Sequence, residues 1–131
     1  MKILQPLSFV ALALIVAACN HQPENPVKTA TIKHTELGRQ TMFKINPESF
    51  DQYFKDAPTT TITSKAGVDS LVSILNNLTG TEDTGFDMRA RIILTHADNK
   101  TDTGFVGVSE TKYKGNIYKT PQTLLQVIEP Q

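Results

Sequence analysis

The sequence is poor in the groups on which small folds and reactive sites are commonly built. It has one cysteine and no tryptophan among 131 residues. A lone cysteine excludes an intramolecular disulfide, so any domain here is held by packing alone. Net charge is missing too, with 13 Lys and Arg against 13 Asp and Glu. A nucleic-acid binder needs a basic excess to neutralise phosphates, and that class is disfavoured. No apolar run reaches the roughly 20 residues of a spanning helix. The longest, residues 7–18, is shorter, and Pro6 stops it extending toward the start. The three histidines, His21, His34 and His96, stand far apart, and none has a second ligand type at metal spacing.

What the chain does have is a leader. Lys2 is a positively charged start, residues 7–18 form a compact apolar segment, and Ala17 and Ala18 are small. That is the anatomy of an export signal. With Val16-Ala17-Ala18-Cys19 at its end, residues 1–19 resemble bacterial lipoprotein precursors, whose lipobox closes on a cysteine. The resemblance implies that residues 1–18 are removed and that Cys19 carries acyl chains on its sulfur and amine. Several chains together hold a protein stably on a membrane where one does not. The membrane is then a partner through Cys19, and the setting is the bacterial cell envelope. Asn20, where an Asp favours inner-membrane retention in enterobacterial lipoproteins, leans the location toward the periplasmic side of the outer membrane. Losing the leader removes Lys2 and no acidic residue, so the mature chain stays close to neutral.

Residues 19–33 follow as the lipidated cysteine and a flexible tether, because two prolines, polar residues and only two branched aliphatics bury little. Residues 34–131 are enough for one domain with one core. Thr41, Phe43 and Ile45 alternate with polar positions and predict a strand over 37–45. Asn46-Pro47-Glu48 opens a short helix carrying Phe50, Tyr53 and Phe54. Residues 59–63 are β-branched and extended. Val68, Leu71, Val72, Leu75 and Leu78 mark a helix over 65–78, with Ser64 as its cap. Leu124, Leu125, Val127 and Ile128 mark a last one after Thr120-Pro121, ending before Pro130. The order β-α-β-α-β-β-β-α predicts an α+β fold, a mostly antiparallel sheet with helices packed on one face.

Residues 86–96 alternate as a strand, and Asp98 to Thr101 is a turn. A two-residue loop at Asn99-Lys100 sets Leu94 against Phe105, Ile92 against Gly107, Met88 against Thr111 and Phe86 against Tyr113. It also sets Arg89 against Glu110 and Asp87 against Lys112, so pattern and charge agree. Gly115-Asn116 reads as a second tight turn. Gly104 and Gly107 within the strand suggest a bulge or close packing.

No constellation of nucleophile, base or metal ligands emerges, and no enzyme activity or cofactor is expected. His96 with Asp98 and Asp102 is the best cluster, at a hairpin tip where such residues are ordinary turn groups. Glu82, Asp83 and Asp87 are acidic without calcium-loop spacing. One patch stands out. Arg89 and Arg91 lie beside Ile93, Val106 and Val108 on the expected solvent face, with Tyr113 and Tyr118 flanking the second turn. Arginine mixed with apolar and aromatic groups is the composition of interface cores. The competing reading is that a helix covers the apolar residues while the arginines pair with Glu110 and Asp87. The function expected is a lipid-anchored, non-catalytic module that binds another envelope protein, of inhibitor or immunity type among others. An accessory subunit of an envelope assembly is one alternative. A small-ligand binder with a pocket between helix 65–78 and the sheet is the other.

Overall fold

Val, Thr, Ala and Ile crowd β1 (Val27–His34), where Ala30 and Ile32 turn inward and are buried. A computed structural model describes residues 24–81 and 85–130; the leader, Cys19, His21, Glu82 and Asp83 lie outside them. After β1 come α1 (Phe50–Tyr53), β2 (Thr59–Ile62), α2 (Lys65–Asn76), β3 (Met88–His96), β4 (Thr101–Gly107), β5 (Glu110–Tyr113), β6 (Asn116–Lys119) and α3 (Gln122–Ile128). One six-stranded sheet runs β2-β1-β3-β4-β5-β6, antiparallel at every pairing. The fold is α+β, as the pattern predicts. No helix among the described residues is long and apolar enough to cross a membrane.

Two expectations near the start of the domain exchange places. Residues 27–33 are not tether but an interior strand, bonded to β2 on one edge and β3 on the other. Neighbours on both sides satisfy its backbone, so two well-placed apolar side chains suffice to hold it. Residues 37–45, expected as a strand, form a loop. β1 already occupies the edge of β3, and Met42 and Phe43 are left at 92% and 64% exposure. The domain therefore begins at Val27, not at residue 34.

α2 is the element whose sequence speaks most plainly. Ser64 Oγ accepts the Gly67 N–H at 3.2 Å, and Val68, Leu71 and Leu75 are buried. α2 and α3 lie on one face over Ala30, Ile32, Ala90, Ile92, Leu94, Val106 and Tyr113. The one-turn α1 lies on the opposite face, where Phe50 and Phe54 pack with Ile45 and Met88. Their rings meet edge to face at 5.5 Å.

The β3–β4 hairpin adopts another register. Leu94 faces Asp102, Ile92 faces Gly104 and Ala90 faces Val106. The turn residues are 97–99, closed by His96 N–H to Lys100 O at 2.8 Å, with Asn99 at φ 68°. Relative to the expected pairing the shift is an odd number of residues, which turns β4 over. Val106 enters the main core and Phe105 leaves it for the opposite face, beside Arg91. The strand also stops at Gly107. Val108 and Ser109 turn the chain back, so Thr111 pairs with Val106 and Lys112 with Phe105. Glu110 stands opposite Lys119 instead of Arg89, and Lys112 opposite Phe105 instead of Asp87. The last turn is Lys114-Gly115, both at positive φ, one residue before the position expected.

Gly107 does mark a bulge. Met88 faces Gly107 while Ala90 faces Val106, so Arg89 is the extra residue of β3. A Cβ at Gly107 would run into the carbonyl oxygen of Asp87 and lie 3.1 Å from that of Glu110. The bulge also sends Met88 into the second cluster while Ala90, Ile92 and Leu94 stay in the first.

Candidate functional site

The bulge puts Arg89 where its guanidinium is buried, with the side chain 6% exposed. Asp87 meets it with both oxygens, at 2.6 Å to Nη1 and 3.0 Å to Nη2. Nε donates to Arg39 O at 3.0 Å, Nη1 to Met88 O at 2.9 Å and Nη2 to Thr41 Oγ1 at 3.1 Å. A guanidinium has five N–H donors, and here five acceptors meet them. Thr41 Oγ1 in turn donates to Phe43 O at 2.6 Å, and Asp87 Oδ1 accepts the Ile45 N–H at 2.8 Å. Leu37 N–H reaches Glu129 at 3.0 Å. The loop over 37–45 is thus tied at four points while Met42 and Phe43 stand in water. Val108, at 47% exposure, lies in the turn across from it, and a polar cleft of about 340 Å³ between them is lined by Arg39, Thr41, Arg89 and Ser109.

Arg91 is structural as well. Its Nη1 donates to Asp51 Oδ2 at 2.7 Å, and Lys33 Nζ donates to the other oxygen at 2.8 Å. Both cations lie 5.8 Å from the centroid of the Phe50 ring. The hydrogen bond from Arg91, then that from Lys33, lowers the Asp51 pKa to about 2. The three charges fasten α1 to β1 and β3.

The expected recognition surface is therefore not one surface. Arg89 and Arg91 hold a loop and a helix, and Ile93 is half-buried on β3. Val106 and Tyr113 are buried in the main core, and Tyr118 packs against it. Only Val108 stands out, in a turn and not on a sheet face. The arginines do pair with acids as the competing reading has it, Arg89 with Asp87 just before β3, but Arg91 takes Asp51 from α1. Met42 and Phe43, which the sequence places in a strand, are the exposed apolar pair. The signal available was their adjacency, since one of two consecutive strand residues has to face outward.

At the other end of the sheet, His96 joins three segments. Its Nδ1 lies 2.8 Å from Asn25 O, and its Nε2 lies 2.7 Å from Asp102 Oδ2. Both partners are acceptors, and only an imidazolium donates to both. The pKa is accordingly raised, by the Asn25 carbonyl first and Asp102 second. Asn25 Oδ1 accepts the Asp98 N–H at 3.2 Å, and Pro26 O accepts the Ala97 N–H at 2.9 Å. Asp98 also accepts the Lys100 N–H, the main cause of its lowered pKa. With each ring nitrogen occupied, His96 ties the entrance of β1 to the hairpin tip. Among the described residues, no group of three or more His, Cys, Asp or Glu is placed to hold a metal ion.

Beside this clasp an open cleft of about 600 Å³ lies between α2 and the sheet, lined in part by Val72, Asn76, Leu94, His96, Asp102 and Tyr113. Burial, and then Asp102, raise the Tyr113 pKa. Comparison with protein-family models, curated proteins and solved structures gives no match to this chain in any of the three.

Proposed function

We propose that the protein is a lipid-anchored, non-catalytic module of the bacterial envelope that docks another envelope protein with the end of its sheet remote from the anchor. The observation that carries this reading is the pair Met42 and Phe43, fully wetted on a loop that a buried arginine holds still. A large apolar side chain kept ordered in water binds without the ordering cost of a flexible loop. Aromatic anchors of this kind dominate interface energies.

Position supports the same reading. The chain from Cys19 enters the sheet at Asn25, and six residues reach at most about 20 Å. β1 then runs eight residues to His34. At about 3.3 Å each, that puts the 37–45 loop about 25 Å further along the sheet. That distance from the tether favours a partner protein over the anchoring bilayer as the surface proposed for this loop. It needs an apolar socket for Phe43 and Met42.

A photoreactive amino acid at position 43, tested in living cells against one at Lys100, examines the reading. The expected result is one discrete protein adduct from position 43, lost with Met42→Ser, and none from position 100. Adducts from position 100 alone, or an adduct indifferent to Met42→Ser, overturn it. The mass of the mature N-terminus tests the anchor separately: an unmodified Cys19 removes that half of the proposal.

A further inference from the structure

The cleft beside His96 has a lining whose charges do not cancel. Of its two carboxylates, Asp69 is paired with Lys65 along α2, and Asp102 is paired with His96. Lys28 and Lys114, also in the lining, have no carboxylate partner among the described residues. Lys114 Nζ lies over the Tyr113 ring, 5.3 Å from its centroid. Behind these cations the wall is apolar, made by Val27, Val72, Leu94 and the Tyr113 ring. Gly104 sits directly beneath that ring, where a Cβ would lie 3.7 Å from it. An apolar wall with uncompensated cations at its mouth complements a molecule with an apolar tail and an anionic head.

We propose that this cleft binds a single-chain anionic amphiphile, its tail along Val72, Leu94 and Tyr113 and its carboxylate or phosphate at Lys28 and Lys114. The volume, about 600 Å³, falls in the range of small-molecule sites. The inference is independent of the docking loop, which lies at the other end of the sheet. It also specifies a pH dependence. The charged and titratable groups sharing the cleft with His96 are Asp102 on the hairpin, Tyr113 on β5 with Lys114 after it, Lys65 and Asp69 on α2 and Lys28 on β1, and Asp98 acts on it from the hairpin turn. Once His96 loses its proton, Asp102 is an uncompensated negative charge in the wall and repels the head group.

The test uses the full chain in envelope vesicles and a diazirine-bearing dodecanoate, with the labelled peptide identified by mass. Labelling is expected at Val72, Leu94 or Tyr113, and to weaken as the pH rises through the His96 pKa. It should fall at least tenfold in Lys28→Glu/Lys114→Glu. Val72→Trp, which fills the cleft without changing its charge, should abolish it. Competition by dodecanoate or dodecyl phosphate, but not by dodecyltrimethylammonium, completes the expected pattern, and the stronger competitor identifies the head group. Melting temperatures of the variants are measured alongside, and both lysines are exposed, so the double variant should fold. Labelling that persists in folded Val72→Trp is contact with the bilayer and overturns the proposal. Equal competition by the cationic amphiphile overturns it too.

Discussion

The sheet is tied off at both ends, and the two ties differ in chemistry. Where residues 37–45 leave the sheet, a guanidinium with all its donors used holds the chain to Asp87, Arg39 and Thr41. Where residues 25–27 enter it, an imidazole holds the chain to Asp102 and Asn25. The first is a two-pronged ion pair whose every donor is taken. The second is complete only while protonated. A planar fork met on all sides suits a rigid display of Met42 and Phe43, whereas a histidine makes the opposite end responsive to its surroundings.

Removing each tie is the direct way to break this contrast. Arg89→Ala should have the largest effect. It strands Asp87, Met88 O and two loop acceptors, Arg39 O and Thr41 Oγ1; Asp87 is 37% exposed and takes up water, so the cost falls at the low end for a buried ion pair, about 3 kcal/mol. Chemical denaturation reads that loss, and proteolysis within 37–45 should report the freed loop. His96→Ala should cost less, about 1–3 kcal/mol, because water reaches its partners more easily.

The sign of the pH dependence separates the ties further. A histidine whose folded pKa is raised contributes fully below the unfolded value of 6.5, and its contribution fades as the pH rises through the folded pKa. Asp51 behaves oppositely. Its stabilisation is present above 3.8 and disappears as the pH falls through about 2. Asp51 is 57% exposed, so Asp51→Asn should cost only about 0–1 kcal/mol, and less in high salt. A stability profile against pH, with His96→Ala and Asp51→Asn as controls, should lose its alkaline slope in one and its acid slope in the other. Last in size, Phe43→Ser should change stability by no more than about 0.5 kcal/mol, since the ring touches water and not the core. A larger loss would mean that the loop supports the fold it was expected only to decorate.

The parts of the fold legible in the sequence are those with a one-sided pattern. α2 shows its buried stripe, β3 shows its alternation, and α3 shows both its entry and its stop. β1 was hidden because a strand bonded on both edges needs fewer apolar side chains than an isolated one, and Ala30 and Thr31 looked like tether. Residues 37–45 alternate well, but β1 already holds the edge of β3 beside them, and alternation carries no information about partners. The hairpin register failed on one turn. Asn99 takes positive φ as the last of three loop residues, and the odd shift carried every side chain of β4 to the other face. Arg89 and Arg91 were conspicuous for good reason, since two arginines on a half-apolar strand need explanation. Their partners are the residue just before β3 and an aspartate forty residues earlier, and neither follows from cross-strand opposition. Met42 and Phe43 passed unnoticed because strand membership would have buried one of them.

The place of β1 has a consequence for the order of events in folding. Its long pairing is with β3, so residue 32 waits for residue 92. Contacts so distant in sequence close slowly, because the intervening chain loses entropy before any bond repays it. A chain made from its amino end delivers β1 first and β3 some sixty residues later. Until then β1 has only the four residues of β2 to pair with, and a molecule interrupted before β3 has no route to the native sheet.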